Sequence, residues 1–293
     1  MANLKEIRNR INTVKNTQQV TKAMKMVAAA KLRKAQERMH KLRPYTQKMK
    51  EIIGNVVAAV NVEDIPSSLV KKRPVKNVLL VVVASNRGLC GPFNANLFKH
   101  ALQLVQDTYA DLHQTGNVHV LAIGKKTYEY FSKRKFKMVE NRNFDVYGNL
   151  TFETVNGVTE RVFTGFTDGE FDQVYLVFNE FRNVMAQNKI AEPFLPLAIA
   201  KTEAKTTTTD YIFEPDRTQI LVDLIPNSLR LRMFRAILDS NASEQGARMV
   251  AMDKATENAG SLLKELKLKY NKARQAAITK EILEIAAGAD ALV

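Results

Sequence analysis

The segment Ser85-Asn-Arg-Gly-Leu-Cys-Gly91 follows a run of apolar residues and precedes Pro92-Phe-Asn94. A buried strand, a glycine-bearing turn and a helix start can hold a phosphate on backbone amides. Cys90, the single cysteine of the chain, would be a nucleophile if a base lay beside it. Neither chemistry is complete. The segment contains no Gly-x-x-x-x-Gly-Lys-Ser/Thr and no Gly-x-Gly-x-x-Gly. Arg87 is the only nearby cation, and Pro92 deletes an amide where a phosphate would bind. Of the four histidines, His40, His100, His113 and His119, only His119 falls on a neighbouring predicted strand, and otherwise a lone cysteine is a small buried apolar group. No His, Asp or Glu set has metal-ligand spacing, and no carboxylate pair stands out. The expectation is a non-catalytic chain with no cofactor and no metal.

Charge points to a binding role. Of the net +14 over 293 residues, residues 1–50 carry fourteen Lys/Arg against Glu6 and Glu37, which leaves +2 for the remaining 243. A basic helix of this kind faces nucleic acid, an acidic lipid surface or an acidic protein partner, unless it is merely a solvated face. Its cations, Lys22, Lys25, Lys31, Arg33, Lys34 and Arg38 among them, surround the helix rather than forming a stripe, and Tyr45 is the only aromatic in the segment. That pattern speaks against nucleic acid. One cysteine excludes an internal disulfide, and no apolar run approaches the roughly 20 residues of a membrane span. The first residues run straight into an amphipathic pattern with no signal or transit segment, so the chain is expected to stay soluble where it is made.

Two long helices are expected to position these groups. Leu231, Phe234, Leu238, Ala242, Gln245, Met249, Met252, Thr256, Ala259, Leu263, Leu266, Tyr270, Ala273 and Ala277 alternate steps of 3 and 4, apart from one extra 4, as an a/d seam does. With Asn227 or Ser228 as cap, this helix is predicted over about 228–286. At the amino terminus Leu4, Ile7, Ile11, Val14, Gln18, Thr21, Ala28, Leu32, Ala35, Met39 and Leu42 keep the same spacing, broken at Lys25. That helix is predicted to about residue 60, kinked or split at Pro44, and the two would pair antiparallel. Between them lie predicted strands Val75–Ala84, Val118–Ile123, Phe171–Phe178 and Pro193–Ala200. Helices are predicted over Pro92–Gln114, from Lys125, and over Leu150–Phe166. Solid apolar strands alternating with helices imply a mostly parallel, doubly covered sheet of Rossmann-like form. The fold class is thus α/β plus coiled coil, divided into an N-terminal helix (1–62), a linker (63–74), an α/β domain (75–205), an extended or looped foot segment (206–227) and a C-terminal helix (228–293). Ala23–Ala30 and Ile282–Val293 are apolar or small on nearly every face, which suits docking into another protein's cavity, or folding back onto the middle domain.

Three stretches carry a family resemblance: Leu4-Lys-Glu-Ile-Arg8 through Ala28-Ala-Ala-Lys-Leu-Arg33; Gly88-Leu-Cys-Gly91 with Phe93-Asn94; and Tyr270 to Ala289, with Ile278-Thr279, Glu281, Glu284 and Gly288-Ala289. Together, in order and over essentially the whole chain, they resemble the gamma subunits of F-type ATP synthases. The resemblance implies a left-handed antiparallel coiled coil whose tip enters a ring of three alpha and three beta subunits, with the α/β domain near epsilon and the membrane c-ring. One copy per complex would serve as central rotor, coupling proton or sodium flow to ATP synthesis on beta. By matching positions, Arg274, Gln275, Thr279 and Glu281 should meet a catch loop of beta, and Met24 and Lys25 should lie opposite acidic beta levers. Arg87, Gly88 and Cys90 should form a contact loop against the alpha/beta ring, with Cys90 suited to carrying a probe. Tyr211, Phe213 and Glu214 should belong to the foot on epsilon and c. Asn86 stands where the family often has an acid, and a single cysteine cannot supply the redox pair of chloroplast forms. The implied setting is peripheral, on the cytoplasmic face of a bacterial inner membrane. The competing readings are an α/β nucleotide-binding protein or enzyme with a coiled-coil handle and, less well supported, a basic helical nucleic-acid binder.

Overall fold

The computed structural model describes residues 4–58, 67–139, 145–148, 150–197, 214 and 217–290. It forms two compact units, Met1–Ala29 with Arg248–Val293, and Ala30–Ala247. The helices α1 (Leu4–Ala58) and α6 (Arg217–Asp290) each contribute to both.

In the first unit, the predicted seam is the line of burial. Leu4, Ile7, Ile11, Val14, Gln18, Thr21 and Ala28 are the shielded positions of α1, and Met24 and Lys25 are half-buried where the spacing breaks. On α6 the shielded positions include Met249, Met252, Thr256, Ala259, Leu263, Leu266, Tyr270, Ala273 and Ala277. Lys25 Nζ lies 2.5 Å from Asp253 Oδ1, the Thr21 and Thr256 hydroxyls lie 2.8 Å apart, and Gln18 Nε2 donates to Thr256 O at 3.4 Å. Residue number falls on one helix as it rises on the other, so the pair is antiparallel. A Cβ on Gly260 would stand 3.0 Å from Gln18 Nε2. Small residues at such layers allow close approach with modest apolar burial.

The second unit is built on a five-stranded sheet of order β3-β2-β1-β4-β5. Its strands are β1 (Val78–Val83), β2 (Val118–Ile123), β3 (Lys137–Met138), β4 (Gln173–Phe181) and β5 (Gln187–Leu195), and only β5 runs antiparallel to its neighbour. All six residues of β1 are buried, because both faces of the sheet are covered. Leu80 and Val82 meet α2 (Phe93–Thr108) and α4 (Lys125–Ser132), whereas Leu79, Val81 and Val83 meet α5 (Phe152–Thr167), α6 and the later turns of α1.

Some predicted boundaries move, each for a local reason. The helix expected over Pro92–Gln114 breaks at Tyr109 and resumes as α3 (Ala110–Gln114); the Tyr109 hydroxyl donates to Gln173 Oε1 at 2.7 Å, which holds the break against β4. β5 starts at Gln187, ahead of the predicted Pro193, because its polar first half lies at the sheet edge and lacks an apolar run. The two-residue β3 was too short to predict. Pro44 lies inside a continuous α1 and does not split it. Pro226 likewise lies inside α6, which begins at Arg217 rather than near 228, so Ser228 caps nothing; its Oγ donates to Ile225 O at 2.8 Å. Leu221, Ile225, Leu229 and Met233, at steps of four, are all fully buried and hold both sides of Pro226 on one core. Four such side chains, at roughly 1.5–3 kcal/mol each, outweigh the roughly 3 kcal/mol that an internal proline costs. Of the predicted foot segment, residues 206–213 and 215–216 lie outside the described residues.

Candidate functional site

The loop between β1 and α2 is tied by one side chain. Asn94, in the first turn of α2, accepts from Ser85 N at 3.2 Å and donates from Nδ2 to Ser85 Oγ at 2.7 Å and to Cys90 Sγ at 3.4 Å. Asn86 Oδ1 accepts the first amide of α4, Lys125 N, at 2.9 Å; a neutral oxygen is sufficient for that cap. Cys90 is only 1% exposed, which corrects the expectation that it offers a surface for a probe. His119 pairs with Leu79 in the β1–β2 ladder, near the strands' starts, while Cys90 follows their ends, so His119 cannot serve Cys90 as a base. Burial, with Lys137 nearby, holds the imidazole of His119 below its usual pKa, an effect that Glu170 partly opposes. What the loop presents is Leu89, 65% exposed and at φ +63°, flanked by exposed Arg87 and Gly88. A left-handed non-glycine residue is uncommon, and composition gave no sign of it.

Open parallel sheets bind ligands at the carboxyl ends of the strands where strand order reverses. Here that point lies between β1 and β4, with β2 on the far side of β1. It is occupied by α6. Ser240 Oγ donates to Val83 O and Ser243 Oγ to Asn179 O, both at 3.0 Å, and both serines are buried. Two hydroxyls three residues apart on a buried helix stretch were the available sequence signal, and it was missed. Replacing both serines by alanine is expected to cost about 2 kcal/mol in urea unfolding, about 1 for each buried bond. A loss below about 0.5 kcal/mol would show that the carbonyls find other donors.

A cleft of about 610 Å³ lies beside this plug, lined by Met39, His40 and Arg43 of α1, Glu180 and Arg182 at the end of β4, and Arg235 and Asp239 of α6. Arg235 lies 3.5 Å from Asp239 and 3.8 Å from Glu180. Burial raises the Asp239 carboxyl to about 6; Arg235 opposes the rise, while Glu180 and Glu192 add to it. The acids are thus held by arginines. Among the described residues no group of three His, Cys, Asp or Glu could hold a metal.

Far along α6, in the first unit, Ile278, Ile282, Leu283 and Ile285 are exposed, Ile285 to 73%. Solvent-facing aliphatic side chains gathered on one helix end mark a contact surface.

A family model described as ATP synthase matches residues 3–292. The ATP synthase gamma chain of Cytophaga hutchinsonii is 48% identical over 295 aligned residues, covering 100% of this chain and 99% of that one. The chain belongs to the ATP synthase gamma chain family. Gamma chains of Chlorobaculum tepidum and Flavobacterium johnsoniae are 47% and 48% identical over 292 residues, again covering 100% of this chain and 99% of theirs. Two solved chains of Euglena gracilis mitochondrial ATP synthase share the fold. One, in the rotor in rotational state 1, has a TM-score of 0.63 at 20% identity, covering 94% of this chain and 98% of that one. The other, in the assembly of OSCP, F1 and c-ring in rotational state 3, has a TM-score of 0.67 at 19% identity, covering 99% and 94%.

The residues that the gamma resemblance singled out fall into four groups. Arg274, Gln275, Thr279 and Glu281 are exposed on α6, with Thr279 Oγ1 donating to Gln275 O at 2.9 Å. Met24 and Lys25 lie on the α1 seam, and the Lys25 ammonium is engaged by Asp253 within the chain. Arg87 and Gly88 are exposed in the β1–α2 loop, with Cys90 beneath them. Glu214 is exposed, while Tyr211 and Phe213 lie outside the described residues. No described helix is long and apolar enough to cross a membrane.

Proposed function

We propose that this chain is the central, non-catalytic rotor of an ion-coupled rotary ATP synthase, turning inside a ring of alpha and beta subunits and seated on epsilon and a membrane c-ring. The exposed aliphatic end of α6, from Ile278 to Ile285, carries this reading. It gives a surrounding ring an apolar surface with few hydrogen bonds to break at each step. The filled crevice between β1 and β4 supports a non-catalytic role, since Ser240 and Ser243 stand where a nucleotide would enter. Arg274, Gln275, Thr279 and Glu281 would then face the catch loop of beta, and Arg87, Gly88 and Leu89 would also face the alpha/beta ring. Lys25 would exchange its Asp253 partner for acidic levers of beta, a long-range attraction that steers contact. Tyr211, Phe213 and Glu214 would belong to the foot. The assembly would sit at the cytoplasmic face of a bacterial inner membrane, with this chain attached only through the complex. Biased contact of a rotating shaft shifts each beta site between open and closed populations.

Reconstitution tests this reading. The purified chain should bind no ATP and hydrolyse none, whereas its addition to alpha and beta subunits should give ATPase activity; turnover by the chain alone would refute it. Glu281→Lys should leave the melting temperature within about 1 °C, as an exposed charge reversal does. In the membrane-bound complex the same change should lower ion pumping per ATP by about fivefold, roughly 1 kcal/mol of lost contact. Equal losses of thermal stability and of coupling would contradict the assigned role of Glu281.

A further inference from the structure

We propose that the small cleft at the amino end of α2 binds one oxyanion, a free phosphate or the carboxylate of a partner side chain. The cleft holds about 70 Å³, enough for such a group and too little for a nucleoside. Its walls are the first turn of α2 (Pro92, Phe93, Asn96), Asn179 of β4, Gln187 and Lys189 of β5, and Ala247 of α6.

The chemistry of this lining is one-sided. Asn179 is 3% exposed, and its Nδ2, a donor, has no hydrogen-bond partner among the described residues. A buried donor left in that condition is costly unless something accepts from it. Lys189 stands directly opposite Asn179 in the β4–β5 ladder, so their side chains share a face about 5 Å apart. Its ammonium makes no ion pair among the described residues. The first amides of a helix lack intrahelical acceptors, and the helix dipole places positive potential at that end; in α2, a 16-residue helix with no side-chain cap bond from Pro92, Phe93 N donates to Cys90 O and Asn96 N to Pro92 O, which leaves Asn94 N and Ala95 N as the amides for a ligand. Asn96 adds a side-chain amide, Gln187 adds one whose Nε2 already gives a hydrogen to Val184 O at 3.2 Å, and no carboxylate lines the cleft. Ser243 Oγ donates to Asn179 O, which holds the strand against α6, while the Asn179 side chain lines the cleft together with the start of α2. α6 therefore fills the crevice of the sheet but stops short of its anion corner. This inference does not rest on the rotor assignment, because every group it uses lies within residues 92–247.

The test titrates inorganic phosphate, and separately acetate, into the ¹⁵N-labelled full chain in chloride-free buffer at pH 7.5, reading the backbone amides of Asn94, Ala95 and Asn96. Saturable shifts with phosphate are expected, weakened about tenfold in Lys189→Gln and in Asn179→Leu and unchanged in Lys99→Gln, a control on the same helix. Shifts with phosphate alone assign the site to the free ion; shifts with acetate as well, in competition with phosphate, assign it to a partner carboxylate. Should Asn179→Leu fail to fold, Lys189→Gln decides. No saturable shift with either anion, or shifts indifferent to Lys189→Gln, would overturn the proposal.

Discussion

Gly124→Ala is expected to destabilise the chain by at least roughly 4 kcal/mol, at the upper end of what single substitutions do. Gly124 links β2 to α4 at φ +105°, a conformation that an L side chain rarely adopts, and an added Cβ would stand 2.1 Å from Ala84 O and 2.8 Å from Ala84 C. Both obstructions are backbone. They cannot retreat without breaking the bond from Ala84 N to Ile123 O, 2.9 Å long, that joins β1 to β2. With domain stabilities of about 5–15 kcal/mol, most of the margin would go. Gly88→Ala is the control: nothing lies within 4 Å of its added Cβ and its φ is not in the left-handed range, so its effect should stay within about 0.5 kcal/mol. Urea unfolding followed by circular dichroism measures both. A loss below about 1 kcal/mol for Gly124→Ala would mean that the β1–β2 end yields more readily than its geometry implies.

The second large effect is on pH dependence. Asp239 has its carboxyl raised from 3.8 to about 6, chiefly by burial, and only 5% of its side chain is exposed. A group that holds its proton more tightly when folded favours the folded state most below its unfolded pKa, and that advantage fades as pH rises to the folded value. The Asp239 contribution should therefore be full near pH 4, decline between about 4 and 6, and stay flat above. A shift of about two units corresponds to roughly 3 kcal/mol. Asp239→Asn mimics the protonated form at every pH. It should match the parent near pH 4 and exceed it by about 2–3 kcal/mol at pH 7.5, a difference already net of the opposing Arg235 contact. The difference between the two proteins, followed by urea titration at several pH values, removes the slopes of all other carboxylates. A difference that does not change with pH would refute the assignment.

The sequence conveyed most of the frame. In the first unit a step of 3 and 4 residues traced the shielded line of both helices, down to the break at Lys25, because burial in a two-helix unit depends only on which side faces the partner. Solid apolar runs located β1, β2 and β4 for a similar reason: a doubly covered strand has no polar face to confuse the reading. Pro44 does not split α1, and Pro226 does not mark the start of α6; at Pro226 the local signal of interruption is overridden by side chains packed on either side of it, which no local pattern reports. The candidate surfaces were legible in part. Exposure of Arg274, Gln275, Thr279 and Glu281 agrees with polar positions on a helix, but the inward turn of Cys90 and the outward turn of Leu89 depend on Asn94 reaching back nine residues to Ser85. The meeting of Ser240 with Val83, 157 residues apart, has no trace in either segment read alone. Asn179 and Lys189 acquire a joint meaning only once the β4–β5 register is known.

That long separation also bears on how the chain is made. A ribosome delivers α6 last, yet Leu221, Ile225, Leu229, Met233 and Ile237 belong to the same core as Leu79, Val81 and Val83 of the first strand. Until those helix turns emerge, a nascent chain that has already released all five strands has one apolar sheet face without its α6 cover. Distant pairings of this kind form slowly, and half-covered sheets aggregate or engage chaperones. The second unit can therefore close only once α6 has emerged through residue 247: ribosomes stalled near residue 200 should carry a protease-sensitive chain, and those stalled after residue 247 has cleared the exit tunnel a resistant one.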